Sequence, residues 1–182
     1  MTTPFTSSSV IFTDSANDNQ IDSLLGGTRW TNSTISYSFP ASNSSLLWST
    51  LFGSGYGSQF GDGEPWNSTA KPLTNADQSY FEQALQQWAN VADLNFIKVA
   101  ETPSDVGDIR AAYTGDPDES TLAWSYLPNN SPKSGDIWMN TQSLLYDQDW
   151  IPGTISFETL LHEIGHALGF KHPFANPGDP TE

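Results

Sequence analysis

Apolar residues recur along the chain with two periods, and the switches between them mark out its elements. Residues 34–39 alternate Ile35, Tyr37 and Phe39 with polar neighbours before Pro40, the two-residue period of a strand buried on one face. From residue 74 the period lengthens. Thr74 stands as an N-cap with Asp77 three residues on, and Phe81, Ala84, Leu85, Trp88 and Ala92 follow at helical spacing, which predicts an amphipathic helix packed on a sheet. Short strand patterns then occupy 96–100, 108–113, 122–126 and 136–140, separated by Gly, Pro, Asp and Asn clusters. A last helix starts at Thr154 or Ser156, with Phe157, Leu160, Leu161, Ile164 and Leu168 as its apolar stripe. A strand, a helix, several strands and a closing helix predict an α/β (α+β) domain on a mixed sheet, and no internal repeat is visible.

Two stretches carry no lasting period. Residues 1–27 are polar and rich in Ser, Asp and Asn, with one apolar run from Ile21 to Leu25, and read as an N-terminal arm or a pro-segment ahead of a domain at 28–182. Residues 41–72 are rich in Ser, Gly and Asn and read as a long surface excursion with a local helix at 46–51.

Composition narrows the function. The 182 residues suffice for one domain with a real core. Six Lys and Arg against 21 Asp and Glu leave a net charge of −15, which argues against nucleic acid or an anionic membrane as partner. No stretch is apolar enough to span a bilayer, and the first ten residues lack the pattern of a secretory signal peptide. With no cysteine there is neither a disulfide nor a thiolate ligand, so a metal must be held by His and carboxylates. Asn-x-Ser/Thr triplets at Asn32, Asn43 and Asn67 read as chance matches in a Ser/Asn-rich chain.

The chemistry gathers in HEIGHALGFKH, residues 162–172, which holds all three histidines of the chain. His162 and His166 stand four apart, so on a helix both rings project from one face toward one ion. His172 lies six further on. A continuous helix would carry it roughly 9 Å along the axis, too far to share a zinc with bonds of about 2 Å. The helix is therefore expected to stop at Gly169, which accepts a left-handed conformation, with Pro173 blocking resumption, so that the chain turns back and offers His172. Three His ligands leave a coordination position open for water, as in catalytic zinc sites, and Glu163 beside the first ligand is placed to take that water's proton. A solvated surface histidine or a chance HExxH would be the bland alternative, but the concentration of every histidine in one correctly spaced motif favours the metal site.

HEIGHALGFKHP resembles the zinc signature of the metzincins, and more closely that of the serralysin-like bacterial metalloproteases. The similarity runs upstream through ISYSFP, ALQQWANVADLNFIKVAE, GDIRAAY, AWSYLP and GDIWMN, covering most of residues 28–173. The resemblance implies a metzincin-like twisted mixed sheet with a backing helix and a zinc-binding active-site helix. It also implies zinc at His162, His166 and His172, Glu163 as general base, and a secreted, extracellular endopeptidase that acts on protein or peptide substrates and is expected to be a monomer. Leu122, Ala123 and Trp124 match the family's substrate-pairing edge strand; Leu122 and Trp124 facing the core with Ala123 outward is an equally weighted reading. The family's methionine turn and its glycine-rich repeats, which would bind Ca2+ in a longer chain, have no match here, since the only methionines are Met1 and Met139. The chain is accordingly read as a domain lacking its C-terminal part. Alternative readings are a zinc-binding but catalytically silent module, a hydrolase of small amides, and an arm whose Asp14 or Asp18 caps the zinc.

Overall fold

The computed structural model describes residues 8–41, 70–102, 105–115, 119–146 and 150–174. Strand β1 (Val10–Phe12), the single turn α1 (Asn19–Asp22) and strand β2 (Thr28–Trp30) come first, with β1 and β2 paired antiparallel. Then follow β3 (Thr34–Ser38), β4 (Lys71–Pro72), α2 (Asn75–Val91), β5 (Asn95–Lys98), β6 (Ile109–Thr114), β7 (Ala123–Ser125), β8 (Asp136–Asn140) and α3 (Ile155–Leu168). The expected helix at 46–51 lies outside the described residues.

The strands from β3 onward form one mixed sheet in the order β5-β3-β6-β8-β7, with β4 pairing antiparallel to β6. β5, β3, β6 and β8 run parallel, and β7 returns antiparallel to β8 at the edge. Every residue of β6 and β8 is buried, as expected of central parallel strands covered on both faces.

Side-chain alternation divides the sheet. Ile35, Tyr37, Ile109, Ala111, Tyr113, Ile137 and Met139 join Phe81, Ala84 and Leu85 of α2 and Phe157, Leu160, Ile164 and Ala167 of α3 in the main core. Ala112, Tyr126 and Trp138 cluster separately with Ala70, and Trp124 packs against them. This corrects one reading of β7: Ala123 packs against the helix-side core, and Trp124 lies with the opposite cluster.

The helices start where side-chain caps were expected. Thr74 Oγ1 accepts from Asp77 N–H at 3.1 Å and donates to Asp77 Oδ2 at 2.7 Å. Tyr113 Oη donates to the same carboxylate oxygen, tying the cap of α2 to β6. α2 ends at Val91, so Ala92 is its exposed C-cap and not a core position.

One ion pair is sealed inside. Arg110 Nε donates to Glu101 Oε1 at 2.8 Å and Arg110 Nη2 to Oε2 at 3.1 Å, with side-chain exposures of 3% and 2%. Ser38 Oγ also donates to Glu101 Oε1, at 2.9 Å, and itself accepts from Gly107 N–H. Removing one partner strands a buried charge, whereas removing both does not. Arg110→Met is therefore expected to cost about 3–5 kcal/mol in urea unfolding. The double variant Glu101→Leu/Arg110→Met should recover most of that loss, and a single variant as stable as the parent would refute the account.

Candidate metal centre

α3 begins at Thr154, whose Oγ1 accepts from Phe157 N–H at 3.3 Å, deciding between the two N-caps that the sequence allowed. It ends at Gly169, with φ +116° and ψ 11°. The N–H of Gly169 donates to His166 O at 2.8 Å and that of Phe170 to Gly165 O at 3.0 Å, closing the helix in the left-handed manner expected. A side chain at 169 would meet a second obstacle, because its Cβ would lie 2.5 Å from Thr28 O.

That turn returns the chain. His172 Nε2 lies 2.8 Å from His162 Nε2, and His166 Nε2 lies 2.9 Å from the same atom. The His166 ring stands nearly perpendicular to both others, at interplanar angles of 87° and 89°, while the rings of His162 and His172 are tilted by 34° with centroids 4.9 Å apart. His162 and His172 are exposed and His166 is buried.

The donor set fits a cation. His166 Nδ1 is 2.8 Å from Phe170 O, and since a carbonyl only accepts, Nδ1 carries the proton and Nε2 of the neutral ring offers a lone pair. His162 Nε2 holds at most one proton and cannot donate to both of its neighbours. Converging nitrogens of this kind are what a divalent ion of zinc type binds. Nitrogens on a tetrahedral zinc with bonds of about 2.0–2.1 Å stand roughly 3.3 Å apart, so a few tenths of an ångström of opening accommodates it. Partial burial lowers the His162 pKa, with His172 acting in the same direction and Glu158 against it, which favours the neutral ring that a metal needs.

Glu163 is only 5% exposed. Burial pushes its carboxyl up to about 7, opposed by a hydrogen bond from Ser125. Ser125 Oγ, on β7, lies 2.9 Å from Glu163 Oε2 and 3.0 Å from Glu163 O, tying the carboxylate to the edge strand. A carboxyl poised near neutrality on the helix that carries two of the histidines is suited to taking and returning a proton.

Sequence reasoning named the three histidines, Glu163 and Gly169; the structure brings the three histidines together, ends the helix at Gly169 and buries Glu163 against Ser125 of β7. It did not find Ser125 or the function of Trp88. Trp88 Nε1 donates to Leu161 O at 3.1 Å, and its ring stacks on Phe170 at 5.6 Å with 21° between the planes. A Cβ on Gly165 would approach the Trp88 ring to 3.1 Å, so a glycine lets α2 and α3 close together there. Trp88 is legible in sequence as a core position of α2 and nothing more. The helix-end contacts it supplies depend on where α3 crosses.

Known proteins resemble the chain across this region. Residues 66–177 match the profile of the matrixin family, peptidase M10. The chain is 39% identical over 118 residues to serralysin C of Dickeya chrysanthemi, covering 59% of this chain and 24% of that protein. It is 32% identical over 117 residues to a serralysin of Photorhabdus sp. (strain Az29), covering 63% and 24%. Metalloprotease AprA of Pseudomonas entomophila (strain L48) is 32% identical over 123 residues, covering 62% and 24%. The chain thus spans about a quarter of the length of these curated relatives.

Both the positive φ and the Thr28 carbonyl oppose a side chain at 169. Gly169→Val is expected to destabilise the metal-free protein by at least the roughly 1–3 kcal/mol of a strained backbone residue. Urea unfolding in the presence of chelator measures this, and an unchanged midpoint would mean that the helix can end in another way.

Proposed function

This chain belongs to the matrixin family of peptidases and is a serralysin-like metzincin; from that premise we propose that it hydrolyses peptide bonds of proteins using a zinc ion held by His162, His166 and His172. The observation that carries the reading is the convergence of three imidazole Nε2 atoms, with a buried carboxylate on the residue that follows the first of them.

When bound, zinc supplies Lewis-acid polarisation of the scissile carbonyl and of the attacking water. The chain supplies the rest. Glu163 accepts the proton of the water as it attacks and delivers it to the departing amine, a task suited to a carboxyl raised to about 7 by burial. The Ser125 hydroxyl holds one carboxylate oxygen in place while the other is left for the proton. The bond from His166 Nδ1 to Phe170 O fixes that ring's tautomer and orientation. β7, at the sheet edge and packed on α3, is the strand to which an extended substrate would add through backbone hydrogen bonds, a mode that tolerates varied side chains.

No helix among the described residues is long and apolar enough to cross a membrane. We take the site of action to be extracellular, as the resemblance to serralysins implies.

Casein digestion by the purified protein is expected to stop with chelator, return with zinc, and ignore thiol reagents, since the sequence has no cysteine. Digestion that survives full metal removal would sink the proposal, and zinc uptake without any digestion would favour a silent binding module. His166→Ala should lose zinc. Glu163→Gln should keep zinc and lose roughly a hundredfold to ten-thousandfold in rate, the range a positioned general base contributes. Measuring zinc content and cleavage on the same preparation separates these outcomes, and a Gln variant that cleaves normally with full zinc would remove Glu163 from the mechanism.

A further inference from the structure

The turn that carries His172 is braced from the other end of the chain. Gly26 N–H donates to Gly169 O and Lys171 N–H donates to Leu24 O, both at 2.8 Å, making an antiparallel bridge between Leu25 and Phe170. Trp30, 3% exposed, donates from Nε1 to Ala167 O at 2.9 Å, satisfying one of the last four carbonyls that any helix leaves open. Thr28 O faces Gly169, and Thr28 Oγ1 donates to Pro128 O at 2.5 Å, anchoring the brace to the loop after β7.

The brace is itself structured. Asp18 caps α1 by accepting from Gln20 and Ile21 N–H, Asp22 accepts from Ser15 Oγ and Ala16 N–H, and Gly27 O accepts from Thr13 N–H. The Asp18 carboxylate is thus engaged in its own segment, and the arm meets the metal centre through main-chain bonds behind the turn.

We propose that residues 24–30 are positioning residues of the metal centre, holding the turn so that His172 joins His162 and His166. His162 and His166 are fixed by α3, but His172 lies three residues beyond its last cap and has no helix of its own. The backbone of Gly169, Phe170 and Lys171 is pinned by the bridge to Leu24 and Gly26, and the Phe170 carbonyl in that stretch is the acceptor for His166 Nδ1. The brace therefore governs the third ligand directly and the second through its tautomer. Apparent affinity falls in proportion to the fraction of molecules in the ligating arrangement, so freeing the turn weakens binding without removing a ligand.

The inference rests on the metal reading above, and its test keeps the two apart. Three full-length proteins are compared with the parent by cobalt(II) titration against a competing chelator, following the visible absorption of the bound ion. Gly26→Pro removes the donor to Gly169 O at a position where even a Cβ would lie 2.8 Å from that oxygen. Trp30→Phe removes the indole donor to Ala167 O and keeps an aromatic ring, with some loss of core volume at this buried position. Phe12→Ser, on the same arm at an 85% exposed position, leaves the brace intact and is the control.

Cobalt affinity is expected to fall about tenfold to a hundredfold in Gly26→Pro and Trp30→Phe, the range for loss of a partner that orients a ligand, with an altered absorption spectrum and an unchanged control. Near-ultraviolet circular dichroism reports whether each variant is folded; should Gly26→Pro fail to fold, the conservative Trp30→Phe carries the test. Parent-like affinity and spectrum in folded variants, even with a lower melting temperature, would overturn the brace and leave the metal site standing. A parent protein that takes up no cobalt would overturn the metal reading and the brace with it.

Discussion

The left-handed residue at Gly169 is the constraint on which the metal centre turns. A helix continued past it would carry His172 away along the axis. A helix stopped there lets the chain reverse and bring Nε2 of His172 to 2.8 Å from that of His162. Glycine is needed for the backbone angle, and needed again because the Thr28 carbonyl lies where a Cβ would be. One position thus ends the helix, sets the direction of the return and admits the neighbouring segment that holds it.

Around this turn the fold supplies support from three directions. β7 reaches Glu163 through Ser125, α2 reaches the helix end through Trp88 and Phe170, and the N-terminal residues pair with the turn itself. The consequence is a helix held from several sides, with His162 on it left exposed. Glu163 and His166 are both buried; burial raises the carboxyl, and the bond to Phe170 O fixes the His166 tautomer.

The rest of the domain holds these three supports in register. The parallel strands place β6 and β8 at the centre, and the sealed Arg110–Glu101 pair with Ser38 fixes β3 to β6 on the face away from the helices. On the helix side, Phe81, Leu85, Leu160 and Ile164 pack both helices on one sheet face, which fixes where α2 crosses α3 and so where Trp88 falls.

Much of this was legible along the chain because it is local. The two-residue period at 34–39, the caps at Thr74 and Thr154, the four-residue spacing of His162 and His166 and the glycine after the helix all act within a few residues. The main elements, the three histidines and Glu163 follow from them. β2 was not foreseen, since three residues are too few to show a period, and the alternation in 122–126 could not say which side of the sheet faced the helices. Ser125, Trp88 and residues 24–30 were beyond sequence reasoning for a further reason. Each acts on α3 across 38 to 143 residues of chain, as in the Ser125 bond to Glu163, the Trp88 bond to Leu161 and the Gly26 bond to Gly169. By itself the sequence determined which groups could bind a metal and where their helix must stop. Only the tertiary structure decided what holds them there, because contacts between remote segments depend on how the sheet and helices pack and leave no period or spacing to read.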